Sequence, residues 1–443
     1  MQNETIPQKK INTVNIDSLS HDGRGIAHIN NKTLFLENAL PEEEVEFVFT
    51  KQYSKLSIGK VTTCLKPSSA RVTPVCQHYE ICGGCSLQHL AHQQQIAFKT
   101  KVLQEQLKHI GGLTITSENV LPAIIGPSVG YRSKARLAAK YVQKKQKVLV
   151  GFHEKNGAYV VATSECPILK PEVGKKISLL SQLIGSLSIY QHIPQIEIAC
   201  GDEITALVLR HLQNFSSKDI DLLQEFGAKH QMQFYSQAGG IETVKLITTH
   251  TASNDNLPSY QLINHGIEII FTPTDFTQIN HHINNQLVNH ALELLAINPQ
   301  EKVLDLFCGI GNFTLPIAKK CQHATGVEGN KNAVARAIQN AQHNNIKNAE
   351  FYCSDLTQES SDTWQQHQYD KILLDPPRTG AQEICTTIKK FGAQKIVYVS
   401  CNPATLARDA KEIVAQGYEL QNITLVDMYP HTSHMETVAS FVQ

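Results

Sequence analysis

The residues best suited to chemistry lie towards the end of the chain. Cys401 sits in Ser400-Cys401-Asn402-Pro403-Ala404-Thr405, directly after the apolar run Ile396-Val397-Tyr398-Val399, where a buried strand would open into a loop. Ligands of open α/β sheets bind outside the carboxyl ends of the strands, so this thiol would face whatever the same sheet binds. Buried, inert cysteines are common, and Cys401 becomes a candidate nucleophile only through the residues that accompany it.

The first of these form Asp305-Leu306-Phe307-Cys308-Gly309-Ile310-Gly311-Asn312-Phe313-Thr314, which closes one apolar run and opens a helical pattern. Gly309 and Gly311 would let the backbone approach a ligand closely there. Glu328 ends the next run, 17 residues after Gly311, and an acid at that place suits the two hydroxyls of an adenosine ribose. Thr314 stands where the third glycine of the dinucleotide fingerprint would fall, so S-adenosylmethionine fits better than NAD. Asp355 and Asp375 follow two further runs and would reach the same crevice. Pro376 and Pro377 stiffen the backbone beside Asp375, whereas Asp355 reads equally well as a turn acid.

Methyl transfer to a pyrimidine carbon would use all of these groups. C5 of uracil is too poor a nucleophile to attack a sulfonium methyl directly, but a thiolate added to C6 turns C5 into an enolate carbon. A base must then remove the C5 proton so that the thiol can leave. Glu436, in His434-Met435-Glu436-Thr437-Val438, is the candidate.

A second chemistry is written near the other end. Cys76, Cys82 and Cys85 place three thiols within ten residues, with Gly83-Gly84 between the last two. The paired glycines would let the loop curl so that all three point inward, to a zinc ion or an iron-sulfur cluster. Spacing leaves the fourth ligand open among Cys64, Cys166 and Cys200.

Elements must position these groups. Residues 11–65 alternate as short strands divided by Asp22-Gly23-Arg24-Gly25, Asn30-Asn31 and Ala39-Leu40-Pro41, which predicts a small β-barrel of the oligonucleotide-binding kind. Residues 93–110 have helical spacing and stop at Gly111-Gly112. From there to about residue 271 the pattern does not order the strands and helices. After residue 276 a helix near 284–296 leads into strands at 302–306, 324–327, 350–352, 371–374 and 395–399 alternating with helices, which implies a mostly parallel sheet.

The 443 residues suffice for two or three domains. Lys plus Arg equals Asp plus Glu, 40 each, yet the charge is uneven. Residues 51–147 hold 15 Lys or Arg against three Glu, a net +12 that the rest of the chain must balance. A basic region in a neutral protein is a reasonable footprint for nucleic acid. No apolar run is long enough to cross a bilayer, and residues 1–10 lack the apolar core of a secretory signal. The expectation is a cytoplasmic protein without membrane contact, whose 11 cysteines serve as ligands, nucleophiles or core residues rather than as a disulfide framework. No obligate protein partner is evident.

The stretch from Phe276 onward resembles the RNA uracil-C5 methyltransferases in Phe276-Thr277-Gln278-Ile279-Asn280, the Gly309/Gly311 loop, Glu328, Asp375-Pro376-Pro377-Arg378, Ser400-Cys401-Asn402-Pro403 and Glu436. That resemblance implies Cys401 as nucleophile, Glu436 as proton-abstracting base, and Gln278, Phe307, Gly309, Gly311, Asn312, Glu328, Asp355 and Asp375 as S-adenosylmethionine positions. The large-subunit rRNA members carry a 4Fe-4S cluster on cysteines at the positions of Cys76, Cys82, Cys85 and Cys166, and the barrel resembles a TRAM domain. The related tRNA enzyme is expected to lack both. The fold implied is α/β: a Rossmann-like methyltransferase domain at 271–443, a TRAM-like OB barrel at 1–65, and between them, at 66–270, a central α+β domain with the iron-sulfur loop. The implied substrate is one uridine of 23S rRNA, held partly by the basic region, including Arg132, Lys134 and Arg136.

Other readings are a tRNA, other rRNA or cytosine-C5 methyltransferase, a radical enzyme, and a non-catalytic RNA-binding or assembly protein. A radical enzyme would favour Cys-x3-Cys-x2-Cys with one iron open, whereas five residues separate Cys76 from Cys82. An assembly protein would transfer no methyl group.

Overall fold

A computed structural model describes residues 11–247, 257–358 and 362–443. They divide into two compact units, one reaching to Val102 and including Tyr429–His434, the other formed by the described residues from Leu103 to Met428 with Met435–Gln443.

The first unit holds a six-stranded sheet: β1 (Asn12–Asn15), β2 (Ser18–Leu19), β3 (Gly25–Ile29), β4 (Lys32–Glu37), β5 (Glu44–Gln52) and β6 (Leu56–Lys66). Its order is β1-β5-β6-β4-β3-β2, antiparallel except where β4 and β6 run parallel. The alternation of the sequence becomes alternation of burial. Leu34 and Leu36 of β4 point inward with Ile16, Ala27, Val45 and Phe47, while their neighbours are partly or fully exposed. Gly59 is required by close packing, since a Cβ there would meet Leu36 Cδ2 at 2.7 Å and Phe47 Cδ2 at 2.9 Å. A buried ion pair closes one end: the Arg71 guanidinium donates to both oxygens of Glu43 at 2.5 and 2.8 Å. The chain returns here late, and His431 O accepts from Ser86 N and Leu87 N at 2.9 Å each.

The second unit contains two large sheets. The first joins β7 (Lys134–Val142), β8 (Lys147–Gly151), β9 (Gln195–Cys200), β10 (Thr205–Arg210), β11 (Met232–Gln237) and β12 (Lys245–Leu246) in the order β12-β11-β10-β9-β7-β8. Only β10 and β11 are parallel in it. A hairpin of β13 (Ser259–Leu262) and β14 (Ile267–Ile270) follows.

The last sheet has seven strands: β15 (Lys302–Leu306), β16 (His323–Glu328), β17 (Ala349–Cys353), β18 (Lys371–Leu374), β19 (Lys395–Ser400), β20 (Glu419–Val426) and β21 (Glu436–Val442), ordered β17-β16-β15-β18-β19-β21-β20. The five expected strands are present and mutually parallel. β18 is buried along its whole length, as the strands of a parallel sheet covered on both faces must be. The final pair goes beyond the expected alternation: β21 runs antiparallel between β19 and β20. The helix expected at 284–296 spans His281–Leu295 and starts one turn earlier, because Asn280 accepts from Ile283 N as its cap.

Candidate active site

β18 and β19 are parallel neighbours, so the loops after them open at the same edge. The first is Asp375-Pro376-Pro377-Arg378 and the second begins at Cys401. Asn402 ties them together: its Nδ2 donates to Arg378 O at 3.0 Å while its Oδ1 caps Ala404 N at 3.1 Å. β21 brings in the acid. Ser400 pairs with Thr437 in antiparallel register; Cys401 directly follows the one and Glu436 directly precedes the other. Cys401 is half-buried, whereas Glu436 is 2% exposed.

The groups act on one another electrostatically. Burial, with the charges of Glu436 and Asp375, pushes the Cys401 thiol up to about 11, and Arg378 pulls the other way. Burial and Asp375 hold Glu436 well above the ordinary carboxylate range, and burial raises Asp375 as well. Two buried acids in mutual repulsion do not both ionise at neutral pH, so the pair retains a proton.

The glycine loop lies beside these groups, since Asp375 N donates to Leu306 O at 3.2 Å. Phe307, Gly309 and Gly311 all have positive φ, +65°, +54° and +96°. The path they trace leaves open space over Gly309, where an added Cβ would meet nothing within 4 Å. Glu328 receives Gly309 N on one oxygen at 3.2 Å and Asn330 N on the other at 2.8 Å, which aims the carboxylate and leaves each oxygen a second lone pair. These residues fit an adenosine-bearing cofactor.

Not every expected cofactor residue is available in the same way. The Asn312 amide is engaged: Oδ1 accepts from Tyr260 Oη and Asn284 Nδ2, both at 2.9 Å, and Nδ2 donates to Asn284 Oδ1 at 3.0 Å. Asn312 thereby fixes the loop to the helix and hairpin before it. Gln278 is buried, 6% exposed, two residues before the helix cap. Asp355 is exposed, and its carboxylate is taken up locally by Thr357 N, Thr357 Oγ1 and Gln358 Nε2, the geometry of a turn acid.

Lys134 departs from the expected RNA face. Its ammonium is buried against Phe271 and donates to Asp275 O, and burial lowers it to about 8. It is a tether for the segment leading to Gln278, not a surface cation. Arg132 Nε is likewise used, by Lys134 O at 2.9 Å, while the exposed Arg136 pairs with Glu197 at 2.8 Å.

Cys76, Cys82 and Cys85 belong to the first unit and Cys166 to the second. Gly84 N points to Cys82 Sγ at 3.4 Å, consistent with a loop curled by its glycines. Among the described residues no group of three or more His, Cys, Asp or Glu side chains is placed to hold a metal ion. The donor set suits a cluster by its chemistry alone.

The tRNA (Uracil-5-)-methyltransferase family matches residues 259–442, and the TRAM domain matches residues 9–62. The chain is 47% identical over 441 residues to the 23S rRNA (uracil(1939)-C(5))-methyltransferase RlmD of Nitrosococcus oceani, covering 99% of this chain and 96% of that one. It is 47% identical over 427 residues to the RlmD of Alcanivorax borkumensis, covering 96% and 95%. The chain belongs to the RlmD family of RNA (uracil-C5)-methyltransferases. The solved structure of Pyrococcus abyssi tRNA (uracil-54, C5)-methyltransferase in complex with S-adenosyl-L-homocysteine shares the fold, with a TM-score of 0.73 at 22% identity over 97% of this chain and 100% of that chain. Among the described residues, no helix is long and apolar enough to cross a membrane.

Family membership gives weight to residues that their local patterns leave unassigned. Asp305 is fully buried and accepts from Thr314 Oγ1 at 2.5 Å, while its other oxygen has no hydrogen-bond partner. An acid inside the apolar run Val303-Leu304-Asp305-Leu306 was the available signal. Tyr260, Asn284 and Asn402 carried none, since hydroxyls and amides gain their roles only from the neighbours the fold supplies.

Proposed function

We propose that this protein methylates C5 of one uridine of 23S rRNA, at the position equivalent to 1939 named for its relatives, through a covalent bond between Cys401 and C6. The meeting of β19 and β21 at Ser400 and Thr437, with the charge of Glu436 acting on the Cys401 thiol, supports this reading, and full-length identity to rRNA enzymes favours rRNA over tRNA. When bound, S-adenosylmethionine supplies an electrophilic methyl group. Glu328, the Gly309 and Gly311 backbone, Phe307, Gln278 and Asp375 are the residues proposed to hold it, with Asn312 fixing the loop and Asp355 the turn beyond β17.

The chain's own groups do the rest. Sγ of Cys401 gives up its proton to solvent and bonds C6, and the electrons of the C5–C6 double bond move towards O4. C5, now nucleophilic, gains the methyl group. Glu436 in its carboxylate form takes the C5 proton, the C–S bond breaks, and the double bond returns with the thiolate as leaving group. The raised proton affinity of Glu436 makes it a stronger base for that step. Arg378 favours the thiolate at the start and the end.

The target must first leave its stack, at a cost of a few kcal/mol, which contacts from the TRAM-like barrel (1–65) and the basic region would offset. The remaining parts of the proposal are a central domain at 66–270, a methyltransferase domain at 271–443, and a 4Fe-4S cluster on Cys76, Cys82, Cys85 and Cys166 that shapes the RNA-binding region. Iron analysis and visible absorption of anaerobically prepared Cys82→Ser protein test the cluster; parent and variant with equal iron would exclude it.

The decisive experiment offers 23S rRNA and tRNA fragments containing 5-fluorouridine. Fluorine cannot leave as a cation, so the adduct should be trapped on the rRNA fragment, and Cys401→Ala should trap none. An adduct that survives in Cys401→Ala would remove the thiol from the mechanism, and trapping on tRNA alone would change the substrate.

A further inference from the structure

The loop after β18 is fixed at its start, where Asp375 N donates to Leu306 O at 3.2 Å. Its far half is held by the helix Pro403–Ala415, which begins two residues after Cys401. Asn402 Nδ2 and Thr405 Oγ1 both reach Arg378 O, at 3.0 and 3.3 Å. One turn on, Arg408 Nη2 donates to Thr379 O at 2.8 Å, and Asp409 accepts from Ala381 N at 2.6 Å. Asp409 is 0% exposed, and its carboxylate is engaged on both oxygens. Oδ2 also accepts from Tyr398 Oη of β19 at 2.6 Å, and Oδ1 takes the Arg408 guanidinium at 2.7 and 2.8 Å. Gly380 lies against this pair with φ +79°, and a Cβ there would collide with the Asp409 carboxylate and the Arg408 guanidinium.

We infer that Arg408 and Asp409 are positioning residues for the nucleophile: they hold residues 379–381 so that the charge of Arg378 keeps its place relative to the Cys401 thiol. A buried ion pair adds little net stability over apolar packing. Here its further bonds go to loop backbone, at Thr379 O and Ala381 N, which apolar side chains could not hold. Arg378 is the cation that acts on Cys401, and the loops of both are referred to one helix. Displacing such a group by about 1 Å is enough to slow a reaction. The inference deepens the proposed mechanism and rests on it for the role of the thiol.

The free protein tests it without RNA. Alkylation of Cys401 by iodoacetamide at pH 8, followed by mass spectrometry of its peptide, should be about threefold slower in Arg408→Gln, because the thiolate fraction follows the local charge. Arg408→Lys, a milder change with a single ammonium in place of the planar fork, should fall between the parent and Arg408→Gln. Because Arg408 acts through Arg378, the double variant Arg378→Gln/Arg408→Gln should react no more slowly than Arg378→Gln alone. Parent or faster rates in both Arg408 variants would overturn the inference and reduce the pair to packing. Losses that multiply in the double variant would overturn it too, making Arg408 a direct charge on the thiol. In a second arm, 5-fluorouridine trapping on the 23S rRNA fragment should slow by the same factor in Arg408→Gln, with RNA affinity by fluorescence anisotropy unchanged. If the parent traps no rRNA, the substrate reading fails, while the alkylation rates still decide the positioning role.

Discussion

Ser400 and Thr437 face each other across β19 and β21, with Thr437 Oγ1 donating to Ser400 O at 3.1 Å. This pair is the last fixed point before the nucleophile loop on one strand and the base on the other. Because β21 enters the sheet antiparallel, its first residue rather than its last meets the carboxyl end of β19. The two chemical roles then separate by substitution. Cys401→Ala should form no adduct at all, whereas Glu436→Gln should form the methylated adduct and fail to release it. Turnover by Glu436→Gln should fall by about 10² to 10⁴. Denaturing gels of enzyme with rRNA and labelled S-adenosylmethionine check both outcomes; rapid release by Glu436→Gln would assign the base elsewhere.

The thiol should be slow to ionise without substrate. Burial and the charges of Glu436 and Asp375 place it near 11, above the 9.0 of an ordinary cysteine. Its neutral form is favoured in the fold, so the alkylation rate of Cys401, followed by mass spectrometry of its peptide, should still climb between pH 9 and 10, where an ordinary cysteine levels off. Arg378→Gln removes the one opposing charge and should slow alkylation further at pH 8. A plateau near pH 9 in the parent would contradict the arrangement.

Asn402 acts through others. Its amide holds Arg378 O while its oxygen caps the helix Pro403–Ala415. Asn402→Asp keeps the cap but loses the donor. Stability should change by less than about 1 kcal/mol, kcat should fall about tenfold or more as the two loops lose register, and KM for S-adenosylmethionine should hold. A rise in KM alone, with kcat intact, would mean that the bond serves binding.

Much of this site is legible in the amino-acid sequence, and what escapes does so for physical reasons. Cys401, Gly309, Gly311 and Glu328 announce themselves because strand ends, glycines and terminal acids carry local signatures. β20 and β21 do not, since Glu419–Val426 and Glu436–Val442 read as strands without stating which way they enter the sheet. The order of β7 to β12 escapes because pairings such as β7 with β9 join residues about 60 apart. Lys134 misleads because lysine is a surface residue by default, and only the fold shows its ammonium turned over the Phe271 ring and bonded to Asp275 O. Asn312 looks like a ligand until Asn284 and Tyr260 are found to occupy its amide.

That occupancy makes a prediction of its own. Tyr260 is 1% exposed, and its hydroxyl donates to Asn312 Oδ1. Tyr260→Phe keeps the ring against Phe271 and His281 and removes one buried hydrogen bond. Unfolding in urea should show a loss of about 1 kcal/mol, and calorimetry should show S-adenosylmethionine bound several-fold more weakly because the glycine loop is less fixed. Equal cofactor affinity would reduce the contact to packing.

Asp305 gives the last test, through pH. Burial raises it to about 8 from an ordinary 3.8, against the pull of Thr314. A group raised in the folded state contributes stability that is complete below its unfolded value and is lost as pH rises through the folded one. Asp305 should therefore cost the fold progressively more from about pH 4 to 8. Asn in its place can still accept from Thr314 and never ionises. Relative to the parent, Asp305→Asn should gain stability as pH rises, on the order of 3 to 4 kcal/mol between pH 5 and 8. Urea unfolding at pH 5, 6.5 and 8 measures the difference; a gap constant with pH would show that Asp305 does not titrate in this range.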